Sequence, residues 1–128
     1  MLEEENNIIP AGELEYCIRE SLDNLRLGEI FTSFDRKCDG VLKLEHAVVA
    51  FDFYENIVER LLDDATAMLI HLDCNDGIIK MRLQIGCNQD IAEHTLSELS
   101  VTCGKFEWDI QEEDVTVTLI ISEGGKCK

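Results

Sequence analysis

Residues 67 to 85 read AMLIHLDCNDGIIKMRLQI, and their period decides the fold class. Apolar and polar residues alternate over Ala67 to Asp73 and again over Ile78 to Ile85, the signature of half-buried strands. Between them Asn75-Asp76-Gly77 supplies the left-handed backbone that a tight hairpin needs. Upstream the period is different. In LEHAVVAFDFYENIVERLLD, Leu44 to Asp63, the residues Leu44, Val48, Phe51, Val58 and Leu62 recur at helical spacing, widened by Ala47, Tyr54 and Leu61. At 3.6 residues per turn, Glu55 falls about 40° from the centre of that stripe, with Glu59 and Asp63 following at i+4 and i+8. An acidic rail on the margin of an apolar stripe is either the wall of a metal or nucleotide site, or a carboxylate edge facing solvent.

Outward from these two stretches the elements continue. Glu13 to Leu27 predicts a first helix through Leu14, Cys17, Ile18, Ser21, Leu22 and Leu25, with Gly28 placed to end it. A strand of about six residues is expected around Ile30 to Asp35, followed by turn chemistry at Lys37 to Gly40, and Val41 to Lys43 lead into the long helix. After the 67–85 hairpin, Asp90 is placed to cap a short helix whose inner face carries Ile91, Thr95, Leu96 and Leu99. Lys105 to Ile110 and Val115 to Ser122 form a second hairpin around Gln111 to Asp114. Phe106, Trp108, Val117, Leu119 and Ile121 are assigned to its inner face. The order α-β-α-β-β-α-β-β implies an α+β two-layer sandwich, a largely antiparallel mixed sheet with helices on one face. We assign residues 13–122 to one domain, 1–12 to a flexible leading segment and 123–128 to a tail.

With 128 residues the chain can bury one core. Its 27 acidic and 11 basic residues leave a formal charge of −16. Such a field repels polyanions, so nucleic acid is not an expected partner. No run of apolar residues reaches membrane-spanning length, and the acidic opening MLEEENN lacks the basic head of a secretory signal. A cytoplasmic chain without direct membrane insertion is expected. Six cysteines, at 17, 38, 74, 87, 103 and 127, form no Cys-x-x-Cys pair, and His46, His71 and His94 add no zinc spacing. An even count permits disulfides; with no export signal, reduced thiols are the expectation. Cys87 beside Gly86 is either an open-site thiol or a buried structural one, and no neighbouring cation favours its thiolate.

The order of elements, with GKFEWDI and VTVTLIIS at the close, resembles the ATP-binding domain of sensor histidine kinases. That fold is shared with gyrase-type, heat-shock-chaperone and mismatch-repair ATPases. The resemblance spans residues 13 to 122 and is best over Leu96 to Ser122, while Leu14 to Leu27 looks like the helix that opens the module. It implies a long helix bearing a Glu and, four residues on, an Asn that binds the magnesium of ATP. Glu55 matches the Glu, but Glu59 stands at the Asn position; it remains a metal candidate because carboxylate oxygens suit magnesium. The family's Asp-x-Gly-x-Gly, whose aspartate reads adenine, is replaced by Ile85-Gly86-Cys87-Asn88-Gln89. Its glycine-rich lid over the phosphates has no counterpart before Ile91. The resemblance is therefore to a degenerate version, with Glu55 a vestigial catalytic candidate.

What it implies is a non-catalytic, nucleotide-free domain of a histidine-kinase-related protein. Its partners would be the remainder of that protein or a response regulator, with a homodimer allowed and no cofactor expected. The alternative is a functional two-component kinase domain binding ATP and Mg2+ at Glu55 and Glu59.

Overall fold

The structure is a computed structural model and describes residues 7–24, 30–75, 78–101 and 103–122. Among these described residues seven strands and three helices follow in chain order: β1 (Ile8–Pro10), α1 (Ala11–Asp23), β2 (Phe31–Lys37), β3 (Val41–Lys43), α2 (Leu44–Leu61), β4 (Ala67–Asn75), β5 (Ile78–Gly86), α3 (Gln89–Ser97), β6 (Lys105–Gln111) and β7 (Asp114–Ser122). The main sheet has five strands in the order β2-β4-β5-β7-β6. Only the edge pair β2–β4 is parallel, as expected when a helical crossover separates two strands; the remaining pairs are antiparallel. The helices pack on one face, so the α+β two-layer sandwich expected from the sequence is the observed architecture.

Strand alternation builds the core. Met68, Ile70 and Leu72 of β4, Ile79, Met81, Leu83 and Ile85 of β5, and Val115, Val117, Leu119 and Ile121 of β7 are all buried toward the helices. Their neighbours Lys80, Arg82 and Gln84 face solvent. Phe106 and Trp108 share that inner face, opposite Leu119 and Val117. Because β6 is an edge strand, Trp108 is still 39% exposed, whereas Phe106 stacks on Phe53 with ring centroids 5.4 Å apart.

Several expectations are corrected. Part of the leading segment read as flexible is ordered: β1 pairs antiparallel with β3, Ile9 opposite Leu42. The Ala11 N–H then donates to Gly40 O at 2.9 Å, which starts α1 two residues early. At its other end α1 stops at Asp23 with Asn24 as C-cap, four residues short of the expected Leu27. Leu27 and Gly28, the turn residues Asp76 and Gly77, and the tail lie outside the described residues. Asn88, not Asp90, caps α3: its Oδ1 accepts from the N–H groups of Asp90 at 2.9 Å and Ile91 at 3.3 Å. The thiols are not all reduced. Cys38 and Cys74 form a disulfide, and Cys103 is disulfide-bonded as well. Cys38 follows directly on Lys37, which pairs with Asp73 in the parallel ladder, so the register of β2 on β4 sets the two sulfurs side by side.

The largest correction concerns α2. Its buried residues are His46, Ala47, Ala50, Phe53, Tyr54, Ile57, Val58 and Leu61. Ala47, Tyr54, Val58 and Leu61 of the stripe read in the sequence are buried as expected. The centre of the buried face, however, lies roughly 90° around the axis from that stripe, on the side of His46, Ala50, Phe53 and Ile57. Ala47 and Ala50 let the backbone approach the sheet, while Leu44 and Val48 are left 37% and 49% exposed.

Candidate functional site

Glu55, Glu59 and Asp63 all face solvent. Measured from the buried stripe rather than the outer one, Glu55 lies roughly 120° around the helix from the core. Asn56, one residue on, donates its side-chain amide to Asp52 O at 3.0 Å and so serves its own helix.

Beyond the C-terminal end of α2 the chain closes on the end of β5. Asp64, Thr66, Gly86, Cys87, Asn88 and Glu113 line a polar cleft of about 230 Å³, and neither Glu55 nor Glu59 is among them. Hydrogen bonds hold it shut. Thr66 N–H donates to Gly86 O at 2.8 Å, Cys87 N–H to Glu113 O at 2.9 Å, and Asn88 N–H to the Asp64 carboxylate. A Cβ on Gly86 would come within 2.8 Å of Thr66 Oγ1, so a larger residue there would make the threonine hydroxyl turn away from Gly86 O. Only Cys87 and Asn88 separate β5 from α3. The Cys87 thiol is buried, and that burial, reinforced by Asp64 and Asp114, pushes its pKa up to about 11. The electropositive surroundings that activate a thiol are missing here.

Two further concavities lie between helices. One, of about 530 Å³, is lined by Arg60 of α2 and by Asp90, Ile91, His94 and Thr95 of α3 with Glu98 just beyond it. Its His94 and Glu98 pair at 3.2 Å. The other, of about 300 Å³, lies between α1 and α2 and is lined by Tyr16, Cys17, Glu20, Ser21, Asn24 and Phe51. Sequence reasoning missed this groove. Its signal was present, since Phe51 belongs to the outer stripe of α2 and Tyr16 lies off the buried row Ala11, Leu14, Ile18 and Leu22 of α1. Among the described residues, no group of three or more His, Cys, Asp or Glu side chains is arranged to hold a metal.

No family model matches the sequence, and no curated protein does. Solved structures do match its fold. The nucleotide-free catalytic domain of histidine kinase ThkA aligns with a TM-score of 0.67 at 12% identity, covering 91% of this chain and 94% of that one. The mycobacterial sensor histidine kinase MprB gives 0.59 at 7% identity, covering 94% and 98%. ThkA in complex with the response regulator TrrA gives 0.58 at 14% identity, with 91% of this chain but only 41% of that one aligned. The chain therefore has the fold of histidine kinase catalytic domains, at identities that speak for fold alone.

Proposed function

We propose that this chain is a non-catalytic signalling domain of a histidine-kinase-related protein, nucleotide-free and acting through protein–protein contacts. The β5–α3 connection carries the reading. A phosphate lid needs length to fold over its ligand, and here two residues join strand to helix, both pinned through their backbone N–H groups. ATP and Mg2+ do not fit the residues present. Cys87, Asn88 and Gly86 offer no carboxylate for an adenine amino group, and the Asp64 carboxylate beside them already accepts from Asn88 N–H. Glu55 and Glu59 would add negative charge where phosphates must sit.

Isothermal titration with Mg-ATP and with ADP tests the proposal. No heat of binding is expected up to millimolar nucleotide. Micromolar binding would overturn it and favour the alternative, a working kinase domain with its metal at Glu55 and Glu59. The partner classes are the remainder of a kinase-like protein and a response regulator, as in the ThkA–TrrA complex. No described helix is long and apolar enough to cross a membrane. A cytoplasmic location belongs to the same reading, but disulfides are rare in that reducing compartment. Reducing and non-reducing gels of freshly lysed cells distinguish the thiol and disulfide forms.

A further inference from the structure

We propose that the outer stripe of α2, with the groove it shares with α1, docks a basic amphipathic helix of a partner protein. This deepens the contact-domain reading and rests on it. Leu44, Val48 and Phe51 lie at i, i+4 and i+7, a spacing that sets them in one row along a helix. Val48 is 49% exposed, and on α1 the phenol ring of Tyr16 is 65% exposed. Phe51 joins the two helices, because it lines the same groove as Tyr16, Cys17 and Glu20. A row of apolar side chains beside a second helix is the receptor form of helix-in-groove recognition.

Charge selects the occupant. On the half of α2 that carries this row, the exposed charged residues are Glu45, Asp52, Glu55 and Glu59, all carboxylates, with Lys43 at the N-cap and Asp63 past the C-cap flanking them. Across the groove Glu20 adds another, accepting from the Tyr16 hydroxyl. Arg60 points away, into the α2–α3 groove. A second copy of this chain would bring a like charge of −16 against the same rim. Nucleic acid and anionic membrane are repelled for the same reason. A helix with an apolar row flanked by lysine and arginine satisfies both the row and the rim.

A displayed library of 20-residue amphipathic peptides, graded from acidic to basic, tests this against the wild-type domain, with Val48→Glu as counter-target. Selected peptides should be basic, with apolar residues at i, i+4 and i+7. Val48→Glu and Glu55→Lys should each weaken them at least tenfold, with unfolding midpoints unchanged because both positions are exposed. Amide shifts on titration should map to 16–20 and 44–55. Failure to select any binder, selection of acidic or neutral peptides, or binding indifferent to both variants overturns the proposal. So does self-association that Val48→Glu abolishes, or equal binding to vesicles of anionic lipid. Nucleotide titration is independent of the groove, so binding of Mg-ATP would overturn the function above without touching this result.

Discussion

Cys38 and Cys74 are joined by a disulfide with their Cα atoms 4.9 Å apart, one step beyond the Lys37–Asp73 pair that ends the parallel ladder of β2 and β4. The bond pins an edge strand and, through it, the β1–β3 ribbon. The two cysteines stand 36 residues apart. Closing a loop of that length removes about 4 kcal/mol of denatured-state entropy in the chain-entropy account. The Cys38→Ser, Cys74→Ser double variant is expected to lose 2–4 kcal/mol, about this range for native bridges. Urea unfolding under non-reducing conditions measures it, and an unchanged midpoint would exclude a stabilising role.

Gly104 has φ +76°, and a Cβ there would overlap the Ile120 carbonyl oxygen and meet Ile121 Cγ1 at 3.0 Å. Gly40 also has positive φ, +97°, but open space around it. Gly40→Ala should cost only the backbone term, about 1–2 kcal/mol. Gly104→Ala adds a clash with backbone that cannot move aside, and is expected to cost about 3 kcal/mol or more. Thermal unfolding of the pair separates the two terms; equal losses would mean that the β6 entrance relaxes freely.

His46 is fully buried on α2, and among the described residues neither ring nitrogen has a hydrogen-bond partner. Glu45 Oε1 lies 4.0 Å from Nε2, too far to serve. An unpaired buried polar group costs about 1–3 kcal/mol. His46→Leu, close to it in volume, should therefore stabilise the fold by about 1 kcal/mol and raise the midpoint by roughly 4 °C. A fall in Tm would show that the imidazole is paired in solution.

Glu15 of α1 accepts from Arg36 Nε at 2.6 Å and from Arg19 Nε at 2.5 Å, and Arg19 also reaches Phe34 O at 2.8 Å. The Arg36 guanidinium, then that of Arg19, holds the Glu15 carboxyl below its ordinary 4.5. A lowered acid pKa gives stability that is complete above that value and is lost as pH falls through the folded pKa. Glu15→Gln should cost about 1 kcal/mol at pH 7 and flatten the stability profile below pH 4.5. Parallel profiles for wild type and variant would show that the pair contributes nothing.

The free thiols should divide cleanly. Cys17 is exposed and Cys87 buried. With the Cys87 pKa raised from 9.0 to about 11, its native form holds a proton that the unfolded chain gives up. Stability from this group is whole below pH 9 and declines as pH rises toward 11. At pH 7.5 a maleimide should modify Cys17 within minutes and leave Cys87 untouched until the protein unfolds, as peptide mass mapping would record. Early labelling of Cys87 would mean that the β5–α3 connection opens.

What the sequence determined by itself is what is local. Alternation over 67–85 and 105–122, with turn residues between the runs, is enough for both hairpins, because neighbouring strands need no distant information to pair. The helical period of 44–61 is likewise visible in isolation. The carboxylates of Glu55 and Glu59 were legible as a rail, but not the direction in which that rail faces.

Tertiary structure decided what depends on contact between distant segments. Three-residue strands such as Ile8–Pro10 carry too little pattern to announce a partner, and the Cys38–Cys74 bond follows from strand register rather than spacing. Asn88 outcompetes Asp90 as cap because the chain leaves β5 where its amide faces the first turn. On α2 two apolar stripes compete, and the sheet takes the one with Ala47 and Ala50, since small side chains allow the closest approach. That choice leaves Leu44, Val48 and Glu55 exposed and Phe51 half-buried, although the sequence alone presents the three apolar residues as core.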